Sequence, residues 1–324
     1  MAKIPDKDKL KDDERTDGSG KKPGERGLSR RQFFMGSAAA AGSAVLAGAS
    51  GSYAMKEFSG WPGRYGCLTD LTMCVGCRSC EKACNAANKL ARPEAPFDSP
   101  SVFNGTRRPT KNAYTVVNRY EPKSGGKPVY RKIQCNHCNE PACASACPIH
   151  AYTKTKEGPV LYNPDLCFGC RYCMVACPFY VPAYDYDSAL EPKIIKCTMC
   201  HGRISKGGIP ACVEACPAGA LTFGKRDDLI KLARKRIEKS PDKYIDHIYG
   251  ETEAGGTSWL YLSAVPFGEV GLPEDLPKAP MLEQTKGFLA AVPLVFTIWP
   301  ALFGMFYAAL KHRTGPGDDH GGQR

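Results

Sequence analysis

Cys167-Phe168-Gly169-Cys170-Arg171-Tyr172-Cys173-Met174-Val175-Ala176-Cys177-Pro178 decides how this chain folds. Two-residue gaps let one short loop deliver three thiols to a common centre, and Gly169 gives the backbone room for close approach. The three-residue gap before Cys177 suits a helical turn, which sends the fourth thiol on a different vector. Cys74-x2-Cys77-x2-Cys80-x3-Cys84 repeats the spacing, with Gly76 at the matching position. Two variants lengthen the middle gap: Cys135-x2-Cys138-x4-Cys143-x3-Cys147-Pro148 and Cys197-x2-Cys200-x11-Cys212-x3-Cys216-Pro217. Three groups close on Cys-Pro, where proline cannot extend the turn with its own N–H; the first closes on Cys84-Asn85.

The first and third groups have the cysteine spacing of bacterial ferredoxins, so four [4Fe-4S] clusters are expected on sixteen of the 17 cysteines. In such runs the fourth cysteine ligates the other cluster of a pair. Groups two and three lie close in sequence and are expected to form an inner module, 135–189. It is inserted into an outer module made of 60–134 and 190–225. Exchange of fourth ligands then predicts Cys74, Cys77, Cys80 and Cys216 on one cluster and Cys197, Cys200, Cys212 and Cys84 on a second. The inner pair becomes Cys135, Cys138, Cys143 and Cys177, and Cys167, Cys170, Cys173 and Cys147. Zinc is the main rival, but zinc ribbons use two separated pairs without a third closely spaced cysteine. Disulfides within such tight runs would be strained and exchange-prone. Cys67, in the alternating stretch 65–71, is expected to be a buried structural thiol. His137 is expected beside a cluster without ligating it.

Across 324 residues the net charge is +11. Residues 1–31 carry ten Lys/Arg against seven Asp/Glu, and the remaining excess is dispersed in short clusters. No continuous basic stripe with interleaved aromatics is present, which argues against a nucleic-acid partner. Clusters held by four thiolates are anionic, and the excess is read as their compensation.

The two ends read as addresses. Residues 1–28 are polar and expected to be disordered. Ser29-Arg30-Arg31-Gln32-Phe33-Phe34-Met35 followed by an Ala/Gly/Ser run reads as a twin-arginine export signal spanning 1–54, with Arg30 and Arg31 as its paired arginines. Small residues offer cleavage after either Ala47-x-Ala49 or Ser52-x-Ala54. That pathway exports folded proteins, which suits clusters inserted before crossing. Residues 287–310 carry no charge and are long enough for a single transmembrane helix in lipid. Trp299 and Pro300 mark a candidate kink. Lys311, His312 and Arg313 open the tail, 311–324, and predict a cytoplasmic C-terminus, with the cluster-bearing part on the periplasmic side of the membrane.

Outside the cysteine loops, 226–286 supplies a helix over 227–238, with Leu229, Leu232, Ala233 and Ile237 on one side, then a strand over 259–265 and a linker. The expected class is α+β: two interleaved ferredoxin-like modules of two [4Fe-4S] clusters each, loop-rich, with one C-terminal transmembrane helix. No nucleotide-binding glycine turn or acid–base constellation occurs, so no catalytic residue is assigned and the chain is expected to be a non-catalytic electron-transfer subunit.

The run 167–178, Gly-Gly-Ile-Pro-Ala-Cys-Val-Glu-Ala-Cys-Pro-Ala-Gly-Ala over 207–220, and Ile-Tyr-Gly-Glu with Gly-Gly-Thr between 248 and 257 carry a resemblance. Over roughly 60–312 the chain resembles the four-cluster subunits of membrane oxidoreductases, most closely the electron-transfer subunit of hydrogenase-2 type [NiFe] hydrogenases. The resemblance implies hydrogenase small and large subunits as electron donors and an integral membrane quinone-reactive subunit as acceptor. The beta subunit of formate dehydrogenase, or of a related molybdenum or tungsten enzyme, is the alternative. In that family the export signal usually rides on the catalytic subunit, whereas here it is on the cluster subunit.

Overall fold

The computed structural model describes residues 63–123, 125–188 and 193–313. The export motif with Arg30 and Arg31, all of 1–54, and tail residues 314–324 lie outside the described residues. Strand β1 (Tyr65–Asp70) runs into the first cysteine group, which continues onto helix α1 (Ser79–Ala87). An antiparallel pair, β2 (Val116–Tyr120) and β3 (Val129–Ile133), follows. The second group carries α2 (Ala142–Ser145). A ribbon of β4 (Tyr152–Lys154) and β5 (Val160–Tyr162) leads to the third group with α3 (Tyr172–Val175), and β6 (Ala183–Tyr184) pairs with β7 (Ile194–Ile195). The fourth group bears α4 (His201–Ile204) and α5 (Ala211–Glu214), and β8 (Leu221–Lys225), α6 (Arg226–Lys239), β9 (Trp259–Leu262) and α7 (Glu283–Arg313) close the order.

One three-stranded sheet, ordered β8-β1-β9, organises the chain. β1 pairs antiparallel with β8, Thr69 facing Leu221, and parallel with β9, Leu68 facing Leu260. Its strands alternate faces as a pleat requires. Leu68, Leu260 and Leu262 point to one side, where Leu229, Ala233 and Ile237 of α6 cover them. Cys67, Trp259 and Tyr261 point to the other, into a cluster with Leu71, Met199, Cys212 and Phe267. Cys67 is therefore a fully buried core thiol, as its alternating surroundings suggested.

Helix α6 extends the expected 227–238 by one residue at each end. Asp227 and Asp228 in its first turn and Arg236 and Lys239 in its last complement the helix dipole. β9 stops at Leu262 rather than 265. The Ser263 hydroxyl donates to the Val265 carbonyl (2.7 Å) and accepts from the Val265 N–H (3.1 Å), turning the chain out of the sheet. α7 continues as one helix through Pro293 and Pro300. Buried Asp70, at the end of β1, is satisfied by Thr72, Arg236 and Tyr244, pinning the sheet to α6 at the entrance to the first cysteine loop.

Candidate metal centres

All four cysteine groups lie between β1 and β8, so the chain leaves the sheet, runs through every candidate ligand and returns beside its point of departure. Pairing of Thr69 with Leu221 and the Asp70 N–H to Ala220 carbonyl bond (2.8 Å) bring the start of the first group against the end of the fourth. A cavity at this junction is lined by Cys74, Cys77, Cys80 and Cys216, with Gly76, Arg78 and Lys132 around them. Packing of α1 against α5 forms the next junction. A second cavity there is lined by Cys84, Cys197, Cys200 and Cys212, with Asn88, Lys132 and Trp259. Within the inner segment α2 packs on α3. Burial pushes the Cys138 thiol well up, and the neighbouring Cys177, Cys135 and Cys143 add to it. Burial likewise raises Cys173, whose thiol neighbours are Cys167, Cys170 and Cys147.

The loops share a backbone design. Gly76 and Gly169 have φ of +71° and +81°, and His137 and Met199, at the same place in the longer groups, adopt φ of +48° and +55°. This left-handed residue turns an N–H toward the first thiol of its group. Gly169 N lies 3.4 Å from Cys167 Sγ, and Met199 N lies 3.2 Å from Cys197 Sγ. At Gly76 a Cβ would also come 2.4 Å from the Tyr130 ring, so this position excludes a side chain on two counts. Each Cys-Pro close has a second left-handed residue three positions after the cysteine: His150, Tyr180 and Gly219. Asn85, which keeps its N–H, lets α1 run on to Ala87 instead, and Asn88 Nδ2 reaches Cys84 Sγ at 3.5 Å.

Buried Glu81 fixes the first loop: its carboxylate accepts from Val117 N, Arg107 and Arg78, the last from inside the loop at 2.9 Å. His137 is fully buried, and its Nδ1 accepts from Val160 N at 2.9 Å, which occupies the lone pair a metal would need. Burial, before the nearby lysines, holds its pKa well below the usual range. The sequence reading missed two buried lysines, Lys132 and Lys196, and the half-buried Lys154. Lys132 Nζ donates to Gln134 (3.0 Å) and lies 4.4 Å from the centre of the Trp259 ring. Lys154 Nζ donates to the His137 and Gly158 carbonyls, and Lys196 Nζ to the Val160 and Cys197 carbonyls. Position was a signal for Lys196 alone, which immediately precedes a Cys-x2-Cys hook; Lys132 stands three residues before one.

The donor set fits clusters better than single ions. A tetrahedral zinc would hold its four sulfurs about 3.8 Å apart, given its 2.3 Å bonds. Among the described residues no three His, Cys, Asp or Glu side chains converge closely enough to share one ion. Instead the outer thiols line open cavities, and the Trp259 indole N–H, beside the second of them, is buried without a partner. Burial pushes Cys84 up to about 12 and Cys177 to about 11. These thiols therefore keep their protons until a metal takes them as thiolates.

Comparison with known proteins gives the same answer. Residues 73–151 and 127–226 each match the 4Fe-4S dicluster domain. The chain is 38% identical to the hydrogenase-2 operon protein HybA of Escherichia coli O157:H7 over 282 residues, 76% of this chain and 84% of that protein. The chain belongs to the HybA family of iron–sulfur subunits. It is also 51% identical to a protein of Nitratidesulfovibrio vulgaris over 288 residues, 88% of this chain and 78% of that one. The iron–sulfur subunit of the nitrate-inducible formate dehydrogenase of E. coli K12 is 33% identical over 216 residues, 64% of this chain and 72% of that one. The chain is thus an electron-transfer subunit of the hydrogenase and formate dehydrogenase type, and its two dicluster domains accommodate four [4Fe-4S] clusters.

Proposed function

We propose that the sixteen cysteines hold their clusters as two exchanged pairs, in outer and inner ferredoxin-like modules, and that the four sites form one series. The series begins at Cys74, Cys77, Cys80 and Cys216. It passes through Cys84, Cys197, Cys200 and Cys212, then Cys135, Cys138, Cys143 and Cys177, and ends at Cys147, Cys167, Cys170 and Cys173. The observation that carries this is the succession of neighbouring thiols. Beyond burial and Lys132, Cys212 bears on Cys80 and Cys135 is the last of three thiols that bear on Cys197; beyond burial, Cys135, Lys196 and Cys177, Cys173 bears on Cys143. Each bound cluster supplies reversible one-electron chemistry. The chain's own residues exclude water, orient the thiols and aim N–H groups at sulfur.

Exposure supports entry and exit at the two ends. Cys77 and Cys170 are the exposed thiols among the described candidates, and apolar side chains surround them: Val75 near the first, Phe168, Tyr172 and Val175 near the second. In this proposal electrons arrive from the small and large subunits of a periplasmic [NiFe] hydrogenase and leave toward an integral membrane quinone-reactive subunit. The twin-arginine motif supports export. Ala291–Leu310 of α7, with mean hydropathy 1.6 and no buried residue, supports a single-pass anchor in lipid.

The test is a preparation of the intact membrane complex, with iron, sulfide and zinc counted and subunits identified by mass. About sixteen irons per chain with a nickel protein is the expected result. A molybdenum or tungsten partner would move the chain to the formate-type complexes, and zinc without sulfide would refute electron transfer.

A further inference from the structure

Lys132, on β3, is the one described residue besides the cysteines' own elements that lines both outer cavities and carries a charge. Its side chain is 2% exposed. Among the described residues no carboxylate pairs with it; its ammonium has only the Gln134 amide oxygen and the Trp259 ring face. Arg78, the other cation at the first cavity, is already neutralised by Glu81 at 2.9 Å. An ammonium buried this deeply without an anion would be expected to shed its proton. Thiolates of the two quartets whose cavities it lines, once metal has taken their protons, are the anions that would keep it charged.

We propose that Lys132 is a shared counterion set between the two outer clusters, raising the reduction potential of both and of neither inner cluster. This rests on the assignment of the outer quartets given above. Reduction adds one negative charge to a cluster, and a fixed cation nearby stabilises the added charge. Because Lys132 faces both quartets, one side chain sets two potentials together and keeps adjacent sites matched for transfer. The Trp259 ring lies against it, with its centre 4.4 Å from Nζ. Gln134 is held in turn by the Tyr261 hydroxyl (2.7 Å), and Tyr261 by Asn136 (2.8 Å), so the ammonium has little freedom to swing away.

The experiment is a redox titration of the purified full complex, followed by electron paramagnetic resonance. Cys77→Ser and Cys200→Ser, each altering one outer quartet, identify the two outer signals. Lys132→Met keeps the length of the side chain and removes its charge, Lys132→Gln is a second neutral variant, and Lys132→Arg keeps the charge. The expected result is that both neutral variants shift the two outer signals to lower potential and leave the inner two in place, while Lys132→Arg stays near the parent. Loss of both outer signals together in the neutral variants, with retention in Lys132→Arg, would support the same shared role. Unchanged potentials, a shift of only one outer signal, an equal shift of all four, or Lys132→Arg behaving as the neutral variants would overturn it. If Cys77→Ser and Cys200→Ser leave every signal intact, the quartets themselves are wrong and the inference falls with them.

Discussion

The outer and inner cysteine groups present similar loops but stand on different foundations. The outer groups grow from a three-stranded sheet with an apolar cluster on each face, one of them sealed by the fourteen-residue helix α6. The inner groups are carried by β4–β5 and β6–β7, ribbons of three and two residues per strand. Their apolar cluster consists of Cys147, Ala151, Tyr152, Val160, Cys173 and Ile194, so two of its six buried members are themselves candidate ligands. Two-stranded ribbons are marginal alone, and metal binding at such sites is folding energy. The outer half has a core to which clusters are added; the inner half has the clusters as much of its core.

Stripping the iron should bring out this difference most severely. With a strong chelator under reducing conditions, amides of 142–195 are expected to lose their hydrogen-exchange protection completely, while β1 and β9 keep a measurable part of theirs. Simultaneous loss everywhere would mean that both halves depend on metal alike. Core and ion-pair variants probe the opposite dependence. Leu260→Ala removes a fully buried side chain between sheet and α6 and should cost about 3 kcal/mol. Glu81→Gln leaves Arg78 and Arg107 without their shared carboxylate and should cost about 3 kcal/mol as well. Denaturant melts of the loaded protein should show both losses in the transition reporting the outer half.

Gly169 gives the smallest effect. Ala at Gly169 adds only the cost of a left-handed backbone, about 1 kcal/mol. At Gly76 the new methyl must also displace the Tyr130 ring, so the loss should be larger, up to about 3 kcal/mol. Equal effects in a melt of the two variants would show that Tyr130 yields freely.

Much of this was legible because cysteine spacing and helical periodicity are local signals. The four groups, the buried Cys67, α6 and the start of β9 all follow from residues within a turn or two of one another. The β1–β8 pairing could not be read, since it joins strands about 150 residues apart and leaves no periodicity in either. His137 and Met199 were hidden for a different reason: they take left-handed conformations where the parallel groups use glycine, a substitution that residue preference argues against. Lys132 was visible only as one charge among 44 Lys and Arg; its burial against both outer cavities is a product of the tertiary fold.

Cys84 tests the exchanged pairing most directly, because it is the fourth cysteine whose group departs from the Cys-Pro close and whose helix runs on. With the two outer signals identified by the Cys77→Ser and Cys200→Ser variants, Cys84→Ser is examined by electron paramagnetic resonance. The account predicts loss or conversion of the signal that Cys200→Ser also removes, with the Cys77-dependent signal intact. Loss of the Cys77-dependent signal instead would show that Cys84 stays with its own group, and the exchanged pairs would be wrong.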